Sequence, residues 1–175
     1  MAHPQQFCFV ESVRQKYPEH FVNSKVLEVG SLDINGSVRP LFVGCDYLGV
    51  DVGEGKGVDL VCQGQDLDHK DSTYDVSISC ECFEHNPYWV ETFKNMHRMT
   101  KENGLVIMSC ATTGRPEHGT KRSSPADAPL VEWDYYKNLT EQDFAEAMPI
   151  QDMFSEYQFS TNTGSKDLYF YGTKK

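Results

Sequence analysis

No stretch of this chain approaches the roughly 20 consecutive apolar residues of a membrane span. Its start, Met1-Ala2-His3-Pro4-Gln5-Gln6, lacks the basic-then-apolar design of a secretory leader. A cytoplasmic protein without a membrane partner is therefore expected. Basic residues are scarce: 16 Lys and Arg stand against 26 Asp and Glu, a net charge of -10 that argues against a phosphate-tracking face and hence against nucleic acid as a partner. No internal repeat is found, and no full G-x-G-x-x-G. A loop framework of cysteines is missing too: Cys8, Cys45, Cys62, Cys80, Cys82 and Cys110 lie mostly in apolar, strand-like segments, which favours buried, reduced thiols. The sequons at Asn35 and Asn138 would matter only after secretion.

What is present bounds the fold. A length of 175 residues suits one domain with its own core, spanning 1–175, and the sequence does not set its oligomeric state. In the segment 1–24, Phe9, Val13 and Tyr17 recur four apart with Val10 alongside, the stripe of an opening helix over Gln5 to Tyr17. Apolar runs at 25–30, 47–52, 60–63, 75–80 and 105–110 read as parallel strands covered on both faces. Gly36 and Ser37 are expected to open a helix after the first strand, shortened by Pro40 and ended by Gly44. Asn86-Pro87 reads as a helix N-cap followed by proline at the first position, with Trp89, Phe93 and Met96 as the buried stripe. Thr140 and Asp143 read as a cap for a helix stopped by Pro149, and Asn162 to Ser165 joins two final strands, 153–160 and 167–172, as a hairpin. The long aperiodic stretch 113–139 reads as a lid and acceptor loop.

The chemistry concentrates at strand ends. Val26-Leu27-Glu28-Val29-Gly30 is an apolar strand closing on an acid and a glycine. A second strand then delivers Asp51 to its own end, 23 positions after Glu28. A carboxylate at about that remove is where a Rossmann-like unit holds a ribose diol. With Asn35-Gly36-Ser37, Tyr74 to Ser79, Glu84-His85 and Asn103 to Ile107 in order, residues 25–112 resemble a class I S-adenosylmethionine-dependent methyltransferase of the small type 11 group, and Asp167 to Lys175 resembles its last strand.

That resemblance implies a doubly wound, Rossmann-like α/β sheet of seven strands in the order 3-2-1-4-5-7-6, with strand 7 antiparallel. It implies S-adenosylmethionine as cofactor, with Asp51 on the ribose, and Glu28, Gly30, Ser31, Asn35 and Gly36 around the methionine end. Gln63, Gln65, Asp66 and Leu67 fall by the adenine, and Cys80 by the sulfonium. His85, with His118 second, is the candidate base for a small polar acceptor such as a sugar hydroxyl. For each residue a plain structural role competes: Glu28 could brace its loop and His85 could pack on Trp89. Cys80, Cys82 and His85 fall within six positions, but their spacing is wrong for zinc and no metal site is expected. Trp133 reads as core, while Tyr136 and Asn138 are pocket candidates. Two rivals stand beside the enzyme: a nicotinamide-dependent oxidoreductase, and a non-catalytic module that keeps the fold and a nucleoside site.

Overall fold

The computed structural model describes residues 3–175; Met1 and Ala2, at the head of the segment 1–24, lie outside the described residues. Helix α1 (Pro4–Lys16) leads into β1 (Lys25–Val29), β2 (Asp46–Asp51) and β3 (Leu60–Val61). Then come β4 (Tyr74–Cys80), α2 (Trp89–Met99) and β5 (Thr100–Ala111). Helices α3 (Glu141–Ala147) and α4 (Ile150–Met153) precede the closing β6 (Phe154–Asn162) and β7 (Asp167–Lys174). One seven-stranded sheet results, in the order β3-β2-β1-β4-β5-β7-β6. β1 to β5 are parallel, while β7 runs antiparallel to both its neighbours. Inserting an antiparallel strand between 5 and 6 departs from the 3-2-1-4-5-6 order of a nicotinamide-binding sheet, and the oxidoreductase reading loses its fold.

Alternation along the strands divides the core in two. Leu27 and Val29 of β1 point with Val106 and Met108 of β5 toward α2 and α3, where Phe93, Met96, Phe144 and Phe154 fill the space. Val26, Ile78 and Ile107 point the other way, to Phe9, Val10 and Val13 of α1. There Phe9 stacks on Tyr169 with centroids 4.3 Å apart. Burial of side chains of this size is each worth about 1.5–3 kcal/mol, which is what fixes both helices on their faces.

Several expected boundaries shift, each for a local reason. No helix follows Gly36: the β1–β2 connection holds only a 3₁₀ turn, Arg39–Leu41, because the Asp33 carboxylate accepts from Gly36 N at 2.7 Å and closes a turn. Asn86 does not cap α2 directly. Its side-chain oxygen accepts from Tyr88 N at 2.8 Å, and the helix starts at Trp89. β3 is two exposed residues rather than a covered strand. β5 begins at Thr100, five residues early, through a bulge in which Asn103 takes φ 60°. The capping box on α3 forms as the sequence implies, Thr140 and Asp143 each bonding the other's backbone N–H.

Candidate active site

β1, β2 and β4 all end at one edge, and a cleft of about 680 Å³ opens there between strand ends and the 113–139 loop. Gly30 marks its floor. Its φ of +80° is one that side chains rarely adopt, and a Cβ there would come within 2.5 Å of the Cβ of Cys82, so chain after β1 and chain after β4 can touch only through a glycine. Asp51, at the tip of β2, lines the same cleft. Its carboxylate accepts from Leu32 N at 2.9 Å and Val52 N at 2.8 Å, which fixes its orientation. Burial nevertheless raises its pKa, so a donor pair such as a ribose diol would find a carboxylate with little competing solvent.

A second, smaller hollow of about 280 Å³ lies on the far side of Gly30, lined by Glu28, Ser31, Gly36 and Cys80. Glu28 is buried there and accepts from Tyr47 OH at 2.9 Å. Desolvation pushes its carboxyl up to about 7, opposed by the Tyr47 hydrogen bond and by Arg39. Ser31 Oγ is buried without a hydrogen-bond partner. A buried acid and an orphaned hydroxyl on either side of a cradle that a Cβ would fill are a fit for the cationic, polar end of S-adenosylmethionine.

The remaining residues sort plainly. Gln65 lines the main cleft, where its Oε1 accepts from Thr92 Oγ1 at 3.3 Å and its Nε2 donates to Gln63 Oε1 at 2.7 Å. Gln63, Asp66 and Asn35 are exposed and off the cleft wall, and Leu67 is buried in the core beneath α2. The wall the sequence missed comes from Cys62, Asn86 and the loop residues Asp127 to Val131. Trp133, read as core, is instead a wall residue whose indole N–H donates to the His85 carbonyl. Aperiodic sequence carries no sign of which side chains turn inward, so no signal marked 127–133 beyond the length of the loop itself.

His85 lines the cleft at the end of the 3₁₀ turn Phe83–His85, after β4. His118 does not line it, but its ring lies 4.9 Å from that of His85, and Tyr136 lies 5.5 Å from His85. Tyr136 OH donates to Asn138 Oδ1 at 2.9 Å, and neither residue lines the main cleft. A histidine serving as general base works best when it titrates near neutrality. Burial, with His118 beside it, instead pushes His85 down to about 3, so its imidazole is neutral at physiological pH. The cysteines considered for zinc diverge: Cys80 Sγ accepts from Gln6 Nε2 at 2.8 Å on the α1 side, while Cys82 abuts Gly30.

The family described as "Methyltransferase domain" matches residues 27–108, from β1 into β5. No curated protein sequence matches the chain. Among solved structures, the carbon methyltransferase of CurJ superposes with a TM-score of 0.68 at 14% identity, over 97% of this chain and 54% of that one. The 1,6-didemethyltoxoflavin-N1-methyltransferase of Burkholderia thailandensis, solved with S-adenosylhomocysteine, gives 0.61 at 14% identity, covering 100% of this chain and 92% of that one. Phosphoethanolamine N-methyltransferase 2 of Haemonchus contortus, solved with S-adenosyl-L-methionine, gives 0.65 at 13% over 97% and 52%. The chain thus spans about half the length of two of these three. Residues 27–108 match the methyltransferase-domain family, and the chain has the class I, type 11-like fold of the S-adenosylmethionine-dependent methyltransferases.

Proposed function

We propose that the chain methylates a small polar, hydroxyl-bearing acceptor with S-adenosylmethionine. One observation carries the reading: a single cleft is lined by Gly30 and Asp51 together with neutral His85 and Trp133. Asp51 would hold the ribose hydroxyls, Glu28 and Ser31 the methionine end, and Gln65 with Asn86 the edge nearest the base. The cofactor supplies an electrophilic methyl on a good leaving group, so the protein's task is alignment and exclusion of water. Asp127 to Val131 and Trp133, drawn from the lid, would close over that junction.

His85 offers an unprotonated nitrogen that can accept the hydrogen of an acceptor hydroxyl and aim its lone pair at the methyl. Its neutral form makes it an orienting acceptor at every physiological pH, while its low basicity leaves room for help in removing the proton. Of the three structures compared, two are N-methyltransferases and one is a carbon methyltransferase. Oxygen is favoured here because a proton acceptor stands at the cleft. The test is a methyl-transfer assay across sugars, small phenols, amines, peptides and oligonucleotides. His85→Ala should lower turnover about 10²- to 10⁴-fold and leave S-adenosylhomocysteine affinity nearly intact. Preferential methylation of oligonucleotides, or full activity in the variant, removes the reading.

A further inference from the structure

Three side chains behind the cleft converge in a way that methyl transfer alone does not require. Glu84, His85 and His118 each bring one ligand atom to within 4.8 Å of the others. Glu84 is the group that calls for explanation: it is 0% exposed, no side chain bonds either carboxylate oxygen, and only the backbone N–H groups of Glu84 and Ala111 approach it, short of full hydrogen-bond geometry, while burial pushes its carboxyl up to about 8. Polar groups buried this deeply are paired in nearly all native structures, and an ionised one left bare is costly. His85 Nδ1 is likewise buried and unpartnered. His118 Nδ1 lies 3.0 Å from Pro116 O, and a carbonyl can only accept, so Nδ1 is the donor and Nε2 is the nitrogen left to bind an ion. A backbone carbonyl holding the far nitrogen is the usual support of a metal-ligating imidazole.

The placement is built rather than incidental. Glu84 and His85 sit in the turn fixed by the end of β4, and Glu84 O accepts from Lys137 N at 2.9 Å. His118 arrives on the opposite loop because Gly119 takes φ +64° against the His85 ring, where a Cβ would lie 2.6 Å from His85 Cε1. The other convergent group, His3 with Glu81 and Asp167, is already ion-paired: Asp167 meets His3 at 3.1 Å and Arg115 at 2.9 Å, and Glu81 lies 3.8 Å from His3, which makes it a latch for α1.

We infer that Glu84, His85 and His118 bind one divalent transition-metal ion of the kind that accepts imidazole and carboxylate together, such as Zn²⁺, Co²⁺ or Mn²⁺. Two histidines and one carboxylate leave coordination positions open. His85 belongs to both the metal set and the cleft wall, and its neutral ring has a single lone pair, so with the ion bound His85 would serve as ligand in place of accepting the hydroxyl hydrogen, and an acceptor oxygen completing the coordination would lie beside the cofactor. That role rests on the methyltransferase reading; the binding of the ion does not.

The test uses the whole chain, stripped with EDTA and titrated with Co²⁺ alone, read by calorimetry and by visible absorption. One equivalent should bind with a ligand-field band, and Glu84→Gln and His118→Ala should each weaken it about tenfold or more. Circular dichroism checks that both variants fold, and the isosteric glutamine guards against a packing defect. Absence of stoichiometric binding, or affinity unchanged in both variants, overturns the inference in favour of a buried, protonated Glu84. S-adenosylhomocysteine is titrated in parallel. Its binding without that of cobalt sinks the metal site alone, whereas cobalt binding without it sinks the methyltransferase reading and leaves the metal site standing.

Discussion

Asp51 and Glu28 bracket Gly30 with two carboxylates whose surroundings give them different tasks. Asp51 is held by two backbone N–H groups and keeps lone pairs facing the cleft. Asp51→Ala should cost about 1.5–3 kcal/mol of S-adenosylhomocysteine affinity, roughly 10- to 150-fold, the range for hydrogen bonds to a charged group. Unchanged affinity by calorimetry would take Asp51 out of the site. Glu28 gives a pH signature instead. Its carboxyl is raised from 4.5 to about 7 by burial, so the folded state binds the proton more tightly than the unfolded chain. Its favourable contribution is complete below about 4.5, declines as pH rises, and is lost above about 7. Relative to Glu28→Gln, the wild type should therefore lose stability across that interval in thermal melts. Parallel curves for the two proteins would mean that Glu28 titrates normally.

At the level of elements, α2 is the brace that sets the cleft's position, because Phe93 contacts rings from α3, β6 and β7 as well as Phe83 of the turn that carries His85. Phe93→Ala should cost about 3–5 kcal/mol in urea unfolding, as for other buried aromatics. A loss below 1 kcal/mol would show that the core closes around the gap. α2 and the strands were legible in the sequence because burial on both faces leaves continuous apolar runs, and burial on one leaves a stripe at 3.6-residue spacing. The β1–β2 crossover was misread for the opposite reason. Gly36 and Ser37 are good helix openers, but Asp33 captures the Gly36 N–H and spends the signal on a turn. The site divides along the same line. Gly30, Glu28 and Asp51 are tied to strand ends that periodicity locates, whereas Trp133 and the Glu84 carboxylate take their meaning from partners 48 residues or 34 residues away across the fold.

Across the whole molecule, the 113–139 loop links the cleft to the sheet's antiparallel half, and its parts are well tied. Arg115 bonds Asp167 at the start of β7, Asn138 Nδ2 donates to Arg115 O at 2.9 Å, and Glu117 pairs with Arg122 at 2.7 Å. Only 127–133 stands against the cleft, so a ligand there should be felt by Trp133 before any other aromatic of the loop. The other tryptophan, Trp89 at the start of α2, is buried against Phe144 and should stay silent. Adding S-adenosylhomocysteine should therefore change the intrinsic fluorescence of the wild type, with the change abolished in Trp133→Phe and retained in Trp89→Phe. The same ligand should slow tryptic cleavage after Lys121 and Arg122, both exposed on the loop, if the segment closes as a unit. A fluorescence change that persists in Trp133→Phe would place the ligand elsewhere. Cleavage unaffected by saturating ligand would mean that 113–139 is a fixed wall, with acceptor entry governed by the strand-end side alone.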